Sequence, residues 1–219
     1  MDMIEASVAA AGTSPQRIAY AIVERLEEGR LVPGQRLAET DLASQFGVGR
    51  NAIREAMQIL AARGLLALTP NRSPTIRLLD PGEVADVLDV AQALSGLVAA
   101  AAAARFDAAH HGAACATVEA QLEAAVDADE PGQFTRARRR FYRTLLEIGG
   151  NRELQRLFPA VSMDLVYIQH RPHSMRRMRL RDYLATLHAV RSGDRDGAMR
   201  AAAEHVDHVR QAIRDQASR

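Results

Sequence analysis

The sequence has no tryptophan, one cysteine and few aromatic residues, which make up 4% of its 219 residues. The single cysteine, Cys115, excludes an internal disulfide and cannot form a cysteine metal site by itself, so we expect a reducing compartment. The first residues lack a basic segment followed by an apolar one, which predicts no signal peptide. The longest nearly apolar run, residues 93–104, is too short to span a bilayer. We therefore expect a cytoplasmic protein with no membrane partner.

Lysine is also absent, and all 28 basic residues are arginine. The net charge is only +1, but its distribution is uneven. Residues 30–77 contain seven arginines and three acidic residues, whereas residues 80–219 contain 19 of each. The basic excess therefore lies near the N-terminus, as contact with nucleic-acid phosphates requires.

Residues 36–66 have the pattern of two short helices joined by a tight turn, in which Gly47 and Gly49 bracket Val48. Apolar residues recur on one face of each helix, namely Leu42, Ala43 and Phe46 on the first and Ile53, Ala56, Met57 and Leu60 on the second. Arg50, Asn51 and Arg54 then share the opposite face of the second helix. A helix-turn-helix that reads double-stranded DNA needs this arrangement. The alternative is an ordinary helical hairpin with a solvated outer face.

The segments on either side of this motif predict a winged helix. Ser14 can cap a helix that has Pro15 at its first position and ends at Gly29, whereas residues 1–13 are predicted to be a loose tail. Residues 67–69 and 75–78 predict two short strands around a turn, which would form the wing. Arg72 at the tip of the wing would contact a minor groove or a phosphate, or would simply lie on a surface turn.

Residues 16–79 resemble the GntR superfamily of bacterial transcription regulators. The resemblance rests on the runs G-x-L-x-P-G-x-x-L, D-L-A-x-x-F-G-V-x-R and I-R-E-A-x-x-x-L, followed by G-L-L. It implies that the DNA contacts are made by Arg36, Arg50, Arg54 and Arg72. The sequence departs from the family at Gly49, where a serine or threonine is usual, and at the tip of the wing, which does not begin with glycine.

The pattern from Asp80 onward predicts an all-helical second domain, residues 80–219, after a winged-helix domain of residues 1–79. Asp80, Pro81 and Glu83 resemble a capping box. We expect helices at residues 81–107, 110–128, 132–149, 151–170, 174–192 and 194–217. Phe141, Gly150-Asn151 and Gly193-Asp194 are similar to the FadR-like branch of the superfamily. The resemblance implies a mainly α fold, with a small β-hairpin wing and an antiparallel six-helix bundle (the FCD type) that binds an effector and forms a dimer.

Many members of that branch hold a divalent metal in the bundle, and the resemblance places the corresponding positions at Arg138, Tyr142, Tyr183 and His205. Of these, only His205 matches the family's ligand set. One imidazole does not hold a metal that needs three or four ligands, and an arginine would repel it, so we expect neither a metal nor another cofactor. The remaining candidate histidines match no metal-site template in their spacing: His170, His173, His188 and His208.

Helical spacing places these four positions on inward faces of the bundle. Arg138 lies on the inner flank of a stripe formed by Phe134, Ala137, Phe141, Leu145 and Ile148. A buried arginine needs a partner, and the cluster is rich in hydrogen-bond donors, so it could hold a small organic acid. The alternative is that an internal acid pairs with Arg138 and the pocket is vestigial. The arginines on the other side of this helix are expected to be solvated: Arg136, Arg139, Arg140 and Arg143.

Together these patterns and the resemblance predict a homodimeric transcription regulator that reads a palindromic operator and responds to a small organic acid. The resemblance favours a repressor, and an activator is the alternative. We find no nucleophile with a nearby base, no phosphate-binding loop and no paired catalytic carboxylates, so an enzyme is not expected. The alternative is a winged-helix protein that acts through protein–protein contacts.

Overall fold

A computed structural model describes residues 14–69, 72–128, 132–161, 163–170 and 175–218. These residues form an N-terminal winged helix-turn-helix followed by a helical bundle, so the predicted fold class is confirmed. The tail predicted over residues 1–13 lies outside the described residues.

Among its described residues, the N-terminal domain contains three helices and a two-stranded sheet. Its elements are α1 (Pro15–Glu27), α2 (Glu39–Phe46), α3 (Arg50–Ala62), β1 (Leu66–Ala67) and β2 (Thr75–Ile76). The strands are antiparallel, with Leu66 opposite Ile76, and each is shorter than predicted. Residues 34–37 lie along the other side of β2, where the Leu37 N–H donates to the Pro74 carbonyl at 2.8 Å.

The turn between α2 and α3 uses its two glycines differently. Gly47 ends α2 with a φ of +62°, a left-handed conformation that strains residues with a Cβ. Gly49 has a φ of −71° and occupies the N-cap of α3, where it provides no side-chain cap. A Cβ built at Gly49 would meet nothing within 4 Å. The tight turn therefore requires glycine at Gly47 but not at Gly49.

The described part of the second domain is a bundle of helices that pack against one another. They are α4 (Pro81–Arg105), α5 (Ala108–Val126), α6 (Gln133–Gly149), α7 (Arg152–Leu157), α8 (Met163–Gln169), α9 (Met175–Arg191) and α10 (Arg195–Ala217). The single helix predicted over residues 151–170 is wrong, because a short 3₁₀ turn, Phe158–Ala160, and an extended Val161 separate α7 from α8. Pro159 explains this break, since its ring removes an N–H and disfavours a continuous helix.

Asp80 begins α4 with the predicted capping box. The Asp80 carboxylate accepts from the Glu83 N–H at 2.9 Å, and the Glu83 carboxylate accepts from the Asp80 N–H at 3.1 Å. The preceding residue, Leu79, is buried, and its N–H and carbonyl bond the Gln169 side chain at 3.0 and 2.8 Å. The segment between the domains is therefore held against α8.

One of two buried hydrophobic clusters extends across the domain boundary. Ile22 and Leu26 of α1 belong to the same buried cluster as Leu88 of α4 and Val166 of α8. A second cluster fills the far part of the bundle, around Phe141. The apolar packing is therefore continuous from the N-terminal domain into the bundle.

One described helix, α4, is long and apolar enough to cross a membrane by length and composition. Half of its apolar window is buried inside the protein, which is also typical of a helix in a protein core. One such helix is weak evidence for a membrane span.

Replacing each turn glycine with serine should change stability in opposite directions. Gly47→Ser introduces a Cβ at positive φ and should lower the free energy of unfolding by about 1 kcal/mol. Gly49→Ser adds a hydroxyl that can cap α3 and should raise it by roughly 0.3 kcal/mol. Urea unfolding followed by circular dichroism measures both, and equal destabilisation by the two changes would contradict the assigned roles.

Candidate DNA-binding surface and ligand cavity

Helix α3 presents its polar face to solvent because its opposite face is fixed in the core. Ile53, Ala56, Met57 and Leu60 are each at most 2% exposed, as the sequence predicted. Arg50, Asn51 and Arg54 are exposed in the first two turns of the same helix. The N-terminal outer face of α3 is therefore a compact surface of hydrogen-bonding groups.

Arg36 and Arg72 lie on the wing side of this domain. Arg36 is exposed and its backbone pairs with Thr75 of β2, which fixes it beside the wing. Arg72 is also exposed, and its N–H donates to the Thr69 carbonyl at 3.1 Å within the wing turn. The predicted DNA-binding residues thus fall in two groups, one on α3 and one on the wing.

Arg54 has a partner that the sequence pattern did not reveal. Its Nε donates to the Glu39 carboxylate of α2 at 2.8 Å, while 61% of the Arg54 side chain is exposed. The pair orients Arg54 without burying it, and an exposed ion pair of this kind contributes little to stability. Glu39 therefore positions the guanidinium on the outer face of α3.

A cavity of about 500 Å³ lies between the N-terminal domain and the bundle. Arg138 and Tyr142 line it, whereas Tyr183 and His205 are buried behind the lining. The four positions are nevertheless neighbours, since the ring centroid of Tyr183 lies 6.1 Å from Tyr142 and 4.6 Å from His205. Burial raises the pKa of the Tyr142 phenol, which keeps it a neutral donor near pH 7.

Arg138 forms an ion pair inside the protein. Its guanidinium donates to Asp164 of α8, and only 7% of its side chain is exposed. Asp164 also accepts from Arg139 at 3.4 Å, and Arg139 in turn pairs with Glu27 of α1. The expectation that Arg139 is simply solvated is therefore wrong, because α1 packs over that flank of α6 and covers it.

The carboxylate of Glu27 is the buried end of this chain of charges. Its side chain is 1% exposed, and burial raises its pKa although Arg139 and Arg138 act to lower it. A carboxylate buried this deeply can be charged only while the guanidinium of Arg139 is paired with it. We call the chain Glu27–Arg139–Asp164–Arg138 the interdomain ion-pair chain.

His205 uses both ring nitrogens within the protein. Its Nδ1 lies 3.2 Å from the Asp182 carboxylate, and its Nε2 lies 3.0 Å from the Tyr167 hydroxyl. Burial lowers the pKa of His205 to about 4, so the ring is neutral near pH 7. A neutral ring satisfies both contacts when Nδ1–H donates to Asp182 and the Tyr167 hydroxyl donates to Nε2. His208 also contacts Asp182, at 2.9 Å.

Arg179 is a second buried arginine, which sequence analysis missed. Its guanidinium stacks over the Tyr167 ring at 3.8 Å and donates to the Tyr183 hydroxyl at 3.3 Å. Its spacing in α9 could have shown that it lies one turn from Tyr183 and faces inward. Aromatic rings rather than a carboxylate surround this charge among the described residues.

The residues present do not fit the divalent metal that many FadR-like bundles hold. Arg138, Tyr142 and Tyr183 replace three of the four ligands, and the guanidinium would repel a cation. No group of three or more metal-ligating side chains occurs among the residues that the structure describes. His173 lies outside the described residues.

This chain is similar to known proteins in both sequence and fold. Residues 15–76 match the gntR family of bacterial regulatory proteins, and residues 86–208 match the FCD domain. The HTH-type transcriptional regulator YdhC of Bacillus subtilis is 27% identical over 192 residues, or 82% of each protein. A probable D-xylose utilization operon repressor of Paenarthrobacter nicotinovorans is 27% identical over 150 residues, 67% of this chain and 64% of that protein. The structure of Escherichia coli McbR/YncC has a TM-score of 0.79 at 18% identity, covering 94% of this chain and 99% of that one, which shows a shared fold.

A winged helix-turn-helix joined to an FCD bundle defines a class of DNA-binding transcription regulators. This chain belongs to the GntR family of that class, in the group with a C-terminal FCD domain. The families and the relatives that it matches are transcription regulators rather than enzymes.

The buried neutral His205 should make stability depend on pH. Its folded pKa of about 4 lies below the value of about 6.5 expected for the unfolded chain, so the unfolded state binds more protons between these values. Stability should be full above about pH 6.5 and fall by about 2 kcal/mol between pH 7 and pH 5. Denaturant unfolding at both pH values measures this loss. His205→Gln should remove most of the difference, whereas His110→Gln, at an exposed position, should retain it. An equal pH dependence in all three proteins would contradict the assignment.

Proposed function

We propose that this chain is a repressor that reads a palindromic operator with the outer face of α3. The observation that carries the proposal is the exposure of Arg50, Asn51 and Arg54 on a helix whose other face is buried. A planar guanidinium can donate twice to the O6 and N7 atoms of guanine, and an asparagine amide can pair with adenine. Residues 1–79 would act as the DNA-binding domain and residues 80–219 as the effector-binding and dimerisation domain.

The wing side would supply contacts that hold the domain in register. Arg36 lies next to β2 and Arg72 lies in the wing turn, so both can reach the backbone or minor groove beside the major groove that α3 enters. Arg54 would exchange its Glu39 partner for a base edge or a phosphate. That exchange would make the Arg54 contact sensitive to the base sequence. Where the base offers no suitable acceptor, Arg54 would remain paired with Glu39.

A homodimer is proposed because a palindromic operator is read by two recognition helices related by a two-fold axis. Helix α4 carries exposed apolar side chains at Val90 and Leu97, which lie seven residues apart and so share one stripe. A second copy of the chain would cover this stripe. Repression is supported by the relative from Paenarthrobacter nicotinovorans, which is described as a repressor. A repressor of this kind would act in the cytoplasm, where bacterial DNA lies.

The effector is proposed to be a small organic acid bound without metal in the cavity beside Arg138 and Tyr142. Both side chains can donate to a carboxylate, and both line the cavity. Tyr183 and His205 would support this site from behind, since Tyr183 packs against Tyr142 and His205 fixes Tyr167.

Operator binding should depend on the two arginines of α3. Arg50→Ala and Arg54→Ala should each weaken binding roughly 5- to 150-fold, because each would remove a contact of about 1–3 kcal/mol. Fluorescence anisotropy with a DNA fragment chosen by binding-site selection measures the change. Arg140→Ala, at an exposed arginine of α6, is the matched control and should bind normally. Undiminished binding by both α3 variants would overturn the base-reading role and favour a winged helix that contacts proteins.

A further inference from the structure

The cavity is built by both domains. Tyr20 and Val23 of α1, with Arg63 and Leu65 after α3, form its wall on the DNA-binding side. Helices α6 and α8 and the segment between α7 and α8 form the opposite wall. A molecule held there would therefore touch the DNA-binding domain and the bundle at the same time.

The lining of this cavity is apolar over most of its surface and carries arginines on both walls. Its apolar side chains come from both domains and include Val23, Leu65, Leu146, Phe158 and Met163. Arginines outnumber acids in the lining, which contains Arg63, Arg138, Arg139, Arg143, Glu147 and Asp164. The cavity therefore combines a hydrocarbon surface with an excess of positive charge.

Arg138 is a lining residue with one buried donor that lacks a partner. The residue is 5% exposed, yet its buried Nε has no hydrogen-bond partner among the described residues. Leaving a charged donor unsatisfied in a buried site is costly. Its terminal nitrogen is bound to Asp164, which is 26% exposed and itself lines the cavity. The acid that Arg138 contacts can therefore be replaced from the cavity side.

We propose that the cavity binds an amphipathic monocarboxylic acid, whose carboxylate replaces Asp164 on Arg138 and Arg139. Its aromatic or aliphatic body would lie between the two domains, against Val23, Leu65 and Phe158. The proposal rests on the effector role given above and adds the chemical class of the ligand and its position between the domains. A carboxylate can accept from both arginines at once, as Asp164 does.

Such a ligand would act on the DNA-binding domain directly. Asp164 connects Arg138 to Arg139, and Arg139 holds the buried Glu27 of α1. A carboxylate in place of Asp164 would release α8 from the interdomain ion-pair chain, and the ligand body would press on Tyr20 and Val23. The ligand would therefore favour one placement of α1 over another, which is the differential affinity that control of DNA binding requires.

The test uses calorimetry on the full-length protein without DNA, with phenylacetate and octanoate as probes. Their amides, phenylacetamide and octanamide, have the same bodies but no charge. At least one acid should bind, and its amide should bind at least roughly tenfold more weakly, because the amide loses charge-assisted hydrogen bonds. Absence of binding by both acids, or equal binding of acid and amide, would overturn the proposal.

Variants on each wall locate the site. Arg138→Gln should weaken acid binding at least roughly tenfold, whereas Arg140→Gln should not change it. Asp164→Asn removes the competing carboxylate and should strengthen acid binding roughly tenfold, an effect that loss of folding cannot produce. Tyr20→Ala should weaken binding about fivefold through the lost ring contact, and Gln16→Ala, exposed on the same helix, is its control.

The variant outcomes separate this inference from the proposed regulator role. Weaker or unchanged acid binding by Asp164→Asn would overturn the competition with Asp164. Unchanged binding by Tyr20→Ala would place the ligand away from the DNA-binding domain and overturn the interdomain site. Either failure would leave operator binding by Arg50 and Arg54 intact, since that is measured on DNA without ligand.

Discussion

A hydrophobic core that crosses the domain boundary determines where the DNA-binding helices lie. Ile22 and Leu26 of α1 are fully buried, and they join the packing of α3 to that of α4 and α8 in one cluster. The outer face of α3 is polar because its inner face belongs to this core. Since packed interiors resist small displacements, any change at the boundary must move a domain as a body.

The charged residues at the same boundary position the helices that they join more than they stabilise the fold. Burying Glu27, Arg139 and Arg138 removes hydration that their ion pairs do not fully replace, so an apolar substitute could be as stable. Each charge of the interdomain ion-pair chain is paired with the next one along it. In the proposed mechanism this chain would have two states, one paired through Asp164 and one paired through the carboxylate of a bound acid. The change from one state to the other would alter the placement of the DNA-binding domain.

Local patterns predicted much of the fold, because they depend on spacing that the sequence displays. The buried stripes of α1, α3 and α6 follow a period of 3.6 residues, and Asp80 caps α4 through neighbours three residues away. The break at Pro159 was missed because the helical pattern continues on both sides of it. The pairing of Arg138 with Asp164 and of Arg139 with Glu27 could not be predicted, because the partners lie 26 and 112 positions apart in the sequence. The inward direction of Arg138 followed from helical geometry, but its partner depended on the tertiary fold.

In the proposed mechanism, ligand binding and operator binding are coupled through the domain boundary. The most direct measurement is the dissociation constant for the operator with and without a saturating amount of the acid that calorimetry identifies. We expect the acid to weaken operator binding about tenfold, and the operator to weaken acid binding by the same factor, as thermodynamic linkage requires. Identical operator dissociation constants with and without bound acid would contradict this coupling.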